Sequence, residues 1–425
     1  MRGTAYDEGW EVVRGWLPSD LEERARGDGF LRRAGELLDA QCWLRLILMH
    51  VAGGLSLEQT VIRAQELGWA GLSAMSLCRR LLQAQGWLAD LTQYVLQEQR
   101  RELGCSDWPF PYRLRVIDAT DISEPGSVGI DWRLHYSIGL PELVCDYYEL
   151  TDARSAEKLG RFTFKAGELI MVDAGYNHRQ GFGQVLEADA QVLGRWNPHG
   201  FPLEHRSGCA FTPLKHLRPL AVGQTAEWSV QFRYGRAVYP LRLCALRKSP
   251  LVAAQSRRRL RYNAQRRGKP LGTLALKLSA YVLVLTSAPA EVLSTKGVLD
   301  LYRGRWQVEL VFKRFKSLLA GGLVPKSTDA AARAWMQAKM LLALLLERVL
   351  LKGGFLSPEE EDFDEVSRWR VVLEVRDCLV RTLAPPLNLQ HLLRRGRVIA
   401  LASRIRRPKR PLQMTQIRQI FAKAA

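Results

Sequence analysis

PFPYRLRVIDATD, residues 109–121, sets the frame for the whole chain. A Pro-rich approach leads into the apolar run around Leu114, Val116 and Ile117, and the run ends in Asp118. Such a segment predicts a strand that delivers a carboxylate at its end. The arrangement recurs in GELIMVDAGY, residues 167–176, a short buried-type strand that ends in Asp173. Between them, DWRLHYSIGL (131–140) and LVCDYYELTD (143–152) read as two more strands around a Pro-containing turn. Beyond them, NHRQGFGQVLEADA (177–190) reads as a helix weakened by its glycines, and AQVLGRW (190–196) as a further strand.

This order of strands and helix matches a ribonuclease-H-like fold, so the expected class is α/β. The expected core runs over 109–194 and resumes over 289–325. Residues 195–288 interrupt it as a β-rich insertion. Within them, EWSVQFRYGRAVYPLRLCALR alternates on both sides of Tyr234-Gly235-Arg236 and predicts a hairpin. A basic run follows, SRRRLRYNAQRRGKP (256–270), then the strand-like KLSAYVLVLTS (277–287). Seven arginines and lysines so close together favour phosphate contact over a merely solvated face.

Helical regions are expected on either side of this core. Residues 1–108 read as a DNA-binding domain. Ser56 with Gln59 suits a capping box, Gly68 a helix stop and Ser73 the next N-cap, which suggests two short helices about a tight turn. A helix-turn-helix would set Ser76, Arg79, Arg80 and Gln83 toward a DNA groove, and an ordinary helical hairpin fits the spacing equally. Residues 326–425 read as helical and end in a basic tail, RIRRPKRP (404–411).

The formal charge is +19, from 62 Lys and Arg against 43 Asp and Glu, which favours a polyanionic partner. The basic residues are spread along the chain without a lipid anchor motif, so nucleic acid is a better reading than a membrane surface. The opening residues contain early acids and no apolar run, unlike a secretory signal, and a cytoplasmic, nucleoid-associated location follows. The seven cysteines are scattered with no CxxC pair, as in a reduced compartment without a thiolate metal site.

LYRGRWQVELVFKRFKSLL, residues 301–319, completes the chemistry. On a continuous α-helix Tyr302, Arg305, Glu309 and Lys316 fall within an arc of about 60°. Val308, Val311, Phe312 and Phe315 occupy an adjoining apolar face. Ser294 or Thr295 suits the N-cap of this helix. Alone, the stripe is better explained as solvated charge. With Asp118 and Asp173 it supplies the convergent carboxylates that metal-dependent phosphodiester cleavage requires. Carboxylates suit Mg²⁺ or Mn²⁺.

VIDATD, VDAGY and YRGRWQVELVFKRFK resemble the three acidic motifs of the cut-and-paste transposases of bacterial insertion sequences. The likeness is specifically to the insertion-sequence-four family, with its Tyr-Arg-Glu-Lys signature. The resemblance implies that Asp118, Asp173 and Glu309 hold two catalytic Mg²⁺ or Mn²⁺ ions. It implies that Tyr302, Arg305 and Lys316 grip DNA-end phosphates, and that a Trp of the insertion, with Trp228 the candidate, supports a DNA hairpin. The implied partners are double-stranded DNA, both transposon ends and target, and a second copy in a DNA-bound homodimer for which residues 326–425 are the candidate contacts, with no membrane. Two other readings remain open. One is a catalytically silent, domesticated relative acting as a DNA-binding regulator. The other is a structure-selective ribonuclease-H-like nuclease.

Overall fold

The computed structural model describes residues 5–32, 38–103, 110–124, 126–127, 129–140, 144–266, 268, 270–325, 328–355 and 368–386. The basic tail at 404–411 lies outside the described residues. Six helices come first: α1 (Ala5–Arg14), α2 (Leu21–Gly27), α3 (Ala40–Ala52), α4 (Leu57–Glu66), α5 (Ala74–Gln83) and α6 (Gln85–Leu103). The next elements are β1 (Arg113–Ile122), β2 (Trp132–Leu140), β3 (Val144–Asp152), β4 (Glu168–Val172), α7 (Arg179–Glu187) and β5 (Gln191–Arg195). They are followed by α8 (Pro213–Leu217), β6 (Thr225–Tyr234), β7 (Ala237–Arg247), α9 (Pro250–Arg266), α10 (Thr273–Leu278) and β8 (Tyr281–Thr286). Helices α11 (Thr295–Gly304), α12 (Trp306–Lys313), α13 (Asp329–Lys352) and α14 (Arg368–Leu383) complete the described chain.

These residues form two compact units. One comprises residues 5–14, 19–87 and 379–386, the other 15–18 and 88–378. In the first, the Ser56/Gln59 capping box and the Ser73 cap both form, and Gly68 adopts φ +71° where α4 stops. The link between α4 and α5 spans residues 67–73, longer than the three- to four-residue turn of a helix-turn-helix.

In the second unit all eight strands join one sheet, in the order β3-β2-β1-β4-β5-β8-β7-β6. β1, β2 and β3 are antiparallel neighbours, while β4 and β5 run parallel to β1. Ile117 pairs with Val172, and Val172 with Gly194. Asp118, Asp173 and Arg195 therefore stand at one level on adjacent strands. Asp173 follows the end of β4 as expected, whereas Asp118 lies inside β1, which stays paired with β2 as far as Ile122. Every residue of β4 is buried, as its uninterrupted apolar run requires. Ile170 and Val172 are fully enclosed, each worth about 1.5–3 kcal/mol of apolar burial.

The expected hairpin forms between β6 and β7, with Tyr234 opposite Ala237 and Gly235 at φ +60°. It joins β8 and, through β8, the edge of β5, so residues 225–286 extend the sheet. The glycines of α7 have a packing reason. A Cβ on Gly183 would lie 2.0 Å from the ring of Tyr234. Residues 301–319 are not one continuous helix. Arg305 N bonds Tyr302 O and Val308 N bonds Arg305 O, both one residue tighter than α spacing, and Arg314–Leu318 form a π turn. The stripe's assumed phase is thus broken at both ends, tightened at Arg305 and widened beneath Lys316.

After the π turn the chain returns to β1. Ser123 pairs with Leu323, through Ser123 N to Gly322 O (3.3 Å) and Val324 N to Ser123 O (3.0 Å). Buried Phe312 meets Tyr136 of β2 edge-to-face at 5.8 Å. Lys339, buried on α13, donates through Nζ to Leu319 O at 2.5 Å, holding the far end of the same segment. Among the described residues no helix is long and apolar enough to cross a membrane.

Candidate active site

Asp118 stands at the centre of the site. Its Oδ1 accepts from Ala119 N at 2.8 Å, and its Oδ2 accepts from Arg305 Nη1 at 2.9 Å. Burial, followed by the charge of Asp173, pushes its carboxyl up to about 7, against the opposing pull of Arg305. Asp173 is fixed by its own turn, where Oδ1 accepts from Gly175 N at 2.7 Å and from Tyr176 N at 3.3 Å. Glu309, on α12, accepts from Arg305 Nη2 at 2.7 Å and remains 46% exposed.

Arg305 therefore bridges Asp118 and Glu309 with two arms of one guanidinium. Tyr302 lies alongside, its ring centroid 5.9 Å from the Arg305 guanidinium carbon. Burial raises the Tyr302 phenol, Asp173 adds to the rise, and Arg305 and Arg195 oppose it. Lys316 sits half-buried on the π turn. Burial lowers its ammonium, and Asp121 of β1 counters. The fold thus brings Asp118, Asp173, Tyr302, Arg305 and Glu309 into one electrostatic neighbourhood.

The remaining expected site residues have surroundings of their own. Trp228 on β6 is half-buried, with its ring against Phe211 (6.3 Å) and His216 (5.8 Å). Arg79 is exposed, whereas Arg80 turns inward, donating to Phe30 O at 2.5 Å and lying over the Phe30 and Trp43 rings. Trp306, next to Arg305, is 61% exposed.

Sequence reading missed two groups here. Glu157 approaches so closely that a Cβ on Gly175 would lie 2.0 Å from its Oε2 and 3.1 Å from Asp173 Oδ1. Its charge raises both Asp118 and Tyr176. Buried His135 stands opposite Ala119 on β2, with Nδ1 2.6 Å from the Tyr176 hydroxyl and Nε2 3.1 Å from Thr151 Oγ1. Burial and the nearby Arg161 and Arg133 hold this imidazole down at about 4, so it is neutral at physiological pH. Glu157 lies in a turn-like SAEKL stretch and His135 in an ordinary strand, and neither carries a local signal.

Among the described residues no three His, Cys, Asp or Glu side chains already stand in metal-holding array. The donor set nevertheless fits a hard divalent cation. Burial, with the charge of Asp173 second, raises the Asp118 carboxyl to about 7, and a cation between the carboxylates would offset both the lost hydration and the repulsion.

The family described as Transposase DDE domain matches residues 151–346, which include Asp173, Tyr302, Arg305, Glu309 and Lys316. The chain is 34% identical over 356 residues to the transposase for insertion sequence element IS421 of Escherichia coli, covering 81% of this chain and 94% of that protein. The transposase InsL for insertion sequence element IS186A, of Escherichia coli strain K12, is likewise 34% identical, over 355 residues, with the same coverage. The transposase for insertion sequence element IS231C, of Bacillus thuringiensis subsp. berliner, is 22% identical over 348 residues, covering 72% of each chain. With a third of its residues shared over most of its length, and the acidic residues set on adjoining elements, the chain belongs to the DDE transposases of insertion sequences, in the insertion-sequence-four family.

Proposed function

We propose that this protein binds the terminal inverted repeats of its own insertion sequence, cleaves the ends by metal-dependent hydrolysis and transesterification through a hairpin, and joins them to target DNA. The observation that carries the reading is the row of Asp118 and Asp173 on adjacent parallel strands, with Glu309 tied to Asp118 through Arg305. The strand order β3-β2-β1-β4-β5 supports a ribonuclease-H-like core, in which three antiparallel strands are flanked by two parallel ones.

Asp118, Asp173 and Glu309 would hold two Mg²⁺ or Mn²⁺ ions, which supply activation of the attacking oxygen and stabilisation of the leaving one. Asp118 releases its proton on entering that role, and the Gly175 and Tyr176 amides keep Asp173 aimed. Arg305 holds Glu309 toward Asp118 in the free protein, and its planar fork also matches a phosphate. Tyr302 and Lys316 supply a phenol and an ammonium for the neighbouring DNA-end phosphates. End recognition falls to the N-terminal helices, with exposed Arg79 the better candidate of the arginine pair. The C-terminal helices serve a homodimer assembled on DNA, and Trp228 remains the candidate for hairpin support.

The test is cleavage of duplexes carrying the element's own ends, with and without Mg²⁺. Wild-type protein should nick them and D118A should not. DNA binding with no cleavage under any divalent cation would instead indicate a silent regulator.

A further inference from the structure

Helix α9 is built unlike any other charged segment of the fold. Its sequence, PLVAAQSRRRLRYNAQR, carries Arg257, Arg258, Arg259, Arg261 and Arg266 and no carboxylate. Only Ala253 is buried, while Arg258, Arg259, Arg261 and Arg266 are exposed and Tyr262 is 62% exposed. On the helix the five arginines and Tyr262 fall on one arc of about 200°, and Ala253, Leu260 and Ala264 lie on the remainder, which faces the protein. Largely buried arginines of the sheet are neutralised, as Arg115 is by Asp146 and Glu168, and Arg242 by Glu227. Among the described residues these five make no ion pair or side-chain hydrogen bond.

The position of the helix gives the charge a direction. Arg195 pairs with Val284, and Arg247 with Tyr281, so β7 ends on the sheet edge toward which β1, β4 and β5 run. That edge carries Asp118, Asp173 and Arg195. Lys248, at the root of α9, donates to Ser256 Oγ at 3.0 Å and to Ser279 O at 2.9 Å, fixing where the helix leaves the sheet.

We propose that α9 is a clamp for duplex DNA lying beyond the cleavage point, meeting backbone phosphates through its arginine arc without reading sequence. The chemistry is that of a polyanion with regularly spaced charge. An unpaired arginine stripe of about 14 Å, with one tyrosine among the guanidiniums, matches the spacing and salt-dependent attraction of a phosphate backbone. An acidic lipid surface is disfavoured, because the arc offers polar guanidiniums and no row of large apolar side chains to insert. The proposal takes the identity of its partner from the transposase reading.

The experiment uses the full chain carrying R257Q, R258Q, R259Q, R261Q and R266Q, compared with wild type and with a second variant bearing lysine at all five positions. The probe is a mixed-sequence duplex longer than the helix, titrated over a range of salt concentrations. The glutamine variant should bind at least about tenfold more weakly at low salt, with a log–log salt slope smaller by about 0.9 for each phosphate it no longer neutralises. The lysine variant should retain most of the slope. Unchanged affinity and slope in a folded glutamine variant overturn the clamp while leaving the transposase reading intact. Failure of the wild type to bind or cleave any duplex overturns both. Binding to anionic phospholipid vesicles that is lost in the glutamine variant, with DNA binding intact, also overturns the clamp.

Discussion

Arg305 Nη1 lies 2.9 Å from Asp118 Oδ2 although 187 residues separate them in sequence. The pair is largely shielded, with side chains 17% and 15% exposed, so its strength depends on whether Asp118 carries charge. R305A should abolish cleavage and destabilise the protein by about 1–3 kcal/mol where Asp118 is ionised. Urea unfolding at pH 8 and pH 6 checks this. The loss should be larger at pH 8, because at pH 6 Asp118 already holds a proton and the ion pair is weaker.

The carboxyl of Asp118, raised to about 7, has a linkage consequence of definite sign. The folded protein keeps a proton that the unfolded chain releases near its ordinary value of 3.8. Stability from this group is therefore complete below that value and lost as pH rises through 7, by at most about 4 kcal/mol. D118N should flatten the fall of metal-free stability between about pH 4 and 7. In the wild type, Mg²⁺ binding should release close to one proton below pH 7 and strengthen as pH rises. Titration calorimetry in two buffers of different ionisation heat measures that release.

His135 supports the Asp173 turn through the Tyr176 hydroxyl, while the Tyr176 amide holds Asp173 itself. H135A leaves that buried hydroxyl without its partner, a loss of about 1–3 kcal/mol. Cleavage measured against Mg²⁺ concentration should need more metal to reach half-maximal rate. A merely structural loss would lower the amount of folded enzyme at every Mg²⁺ concentration alike.

A methyl group on Gly183 meets the Tyr234 ring at 2.0 Å. G183A should lower stability by about 1–3 kcal/mol through overpacking, and Y234A should recover part of that loss in the double variant. Strictly additive losses would show that the Tyr234 ring is not what constrains residue 183.

The acids on the sheet were legible because the pattern that marks them is local, an apolar run that ends where the strand meets the cleft. Asp118 and Asp173 each needed only their own short segment to be found. The hairpin around Gly235 was readable for the same reason. Arg305 was visible as a member of a stripe, but not as a bridge, because its partner Asp118 comes from another element. The tightened step at Arg305 and the π turn under Lys316 escaped helical arithmetic, which assumes a uniform rise and twist. Arg80 shows the limit in the helical unit. Spacing sets which residues share a face but not which face is covered, and here Phe30 and Trp43 draw the guanidinium inward. Glu157 and His135 became functional neighbours only when the sheet brought them to Asp173.

The backbone pairing of Ser123 with Leu323 has a consequence for how such a chain tolerates change. It fastens the exit of β1 to the exit of the segment bearing Glu309, so the intervening chain forms a closed loop whose two ends are already stapled together. Lengthening a loop whose ends are held elsewhere costs little, rising only with the logarithm of its length. The tip of the β6–β7 hairpin, exposed at Gly235 and Arg236, lies within that loop. Residues spliced in at Gly235–Arg236 are expected to leave the Ser123–Leu323 pairing, and the carboxylates set on either side of it, in place.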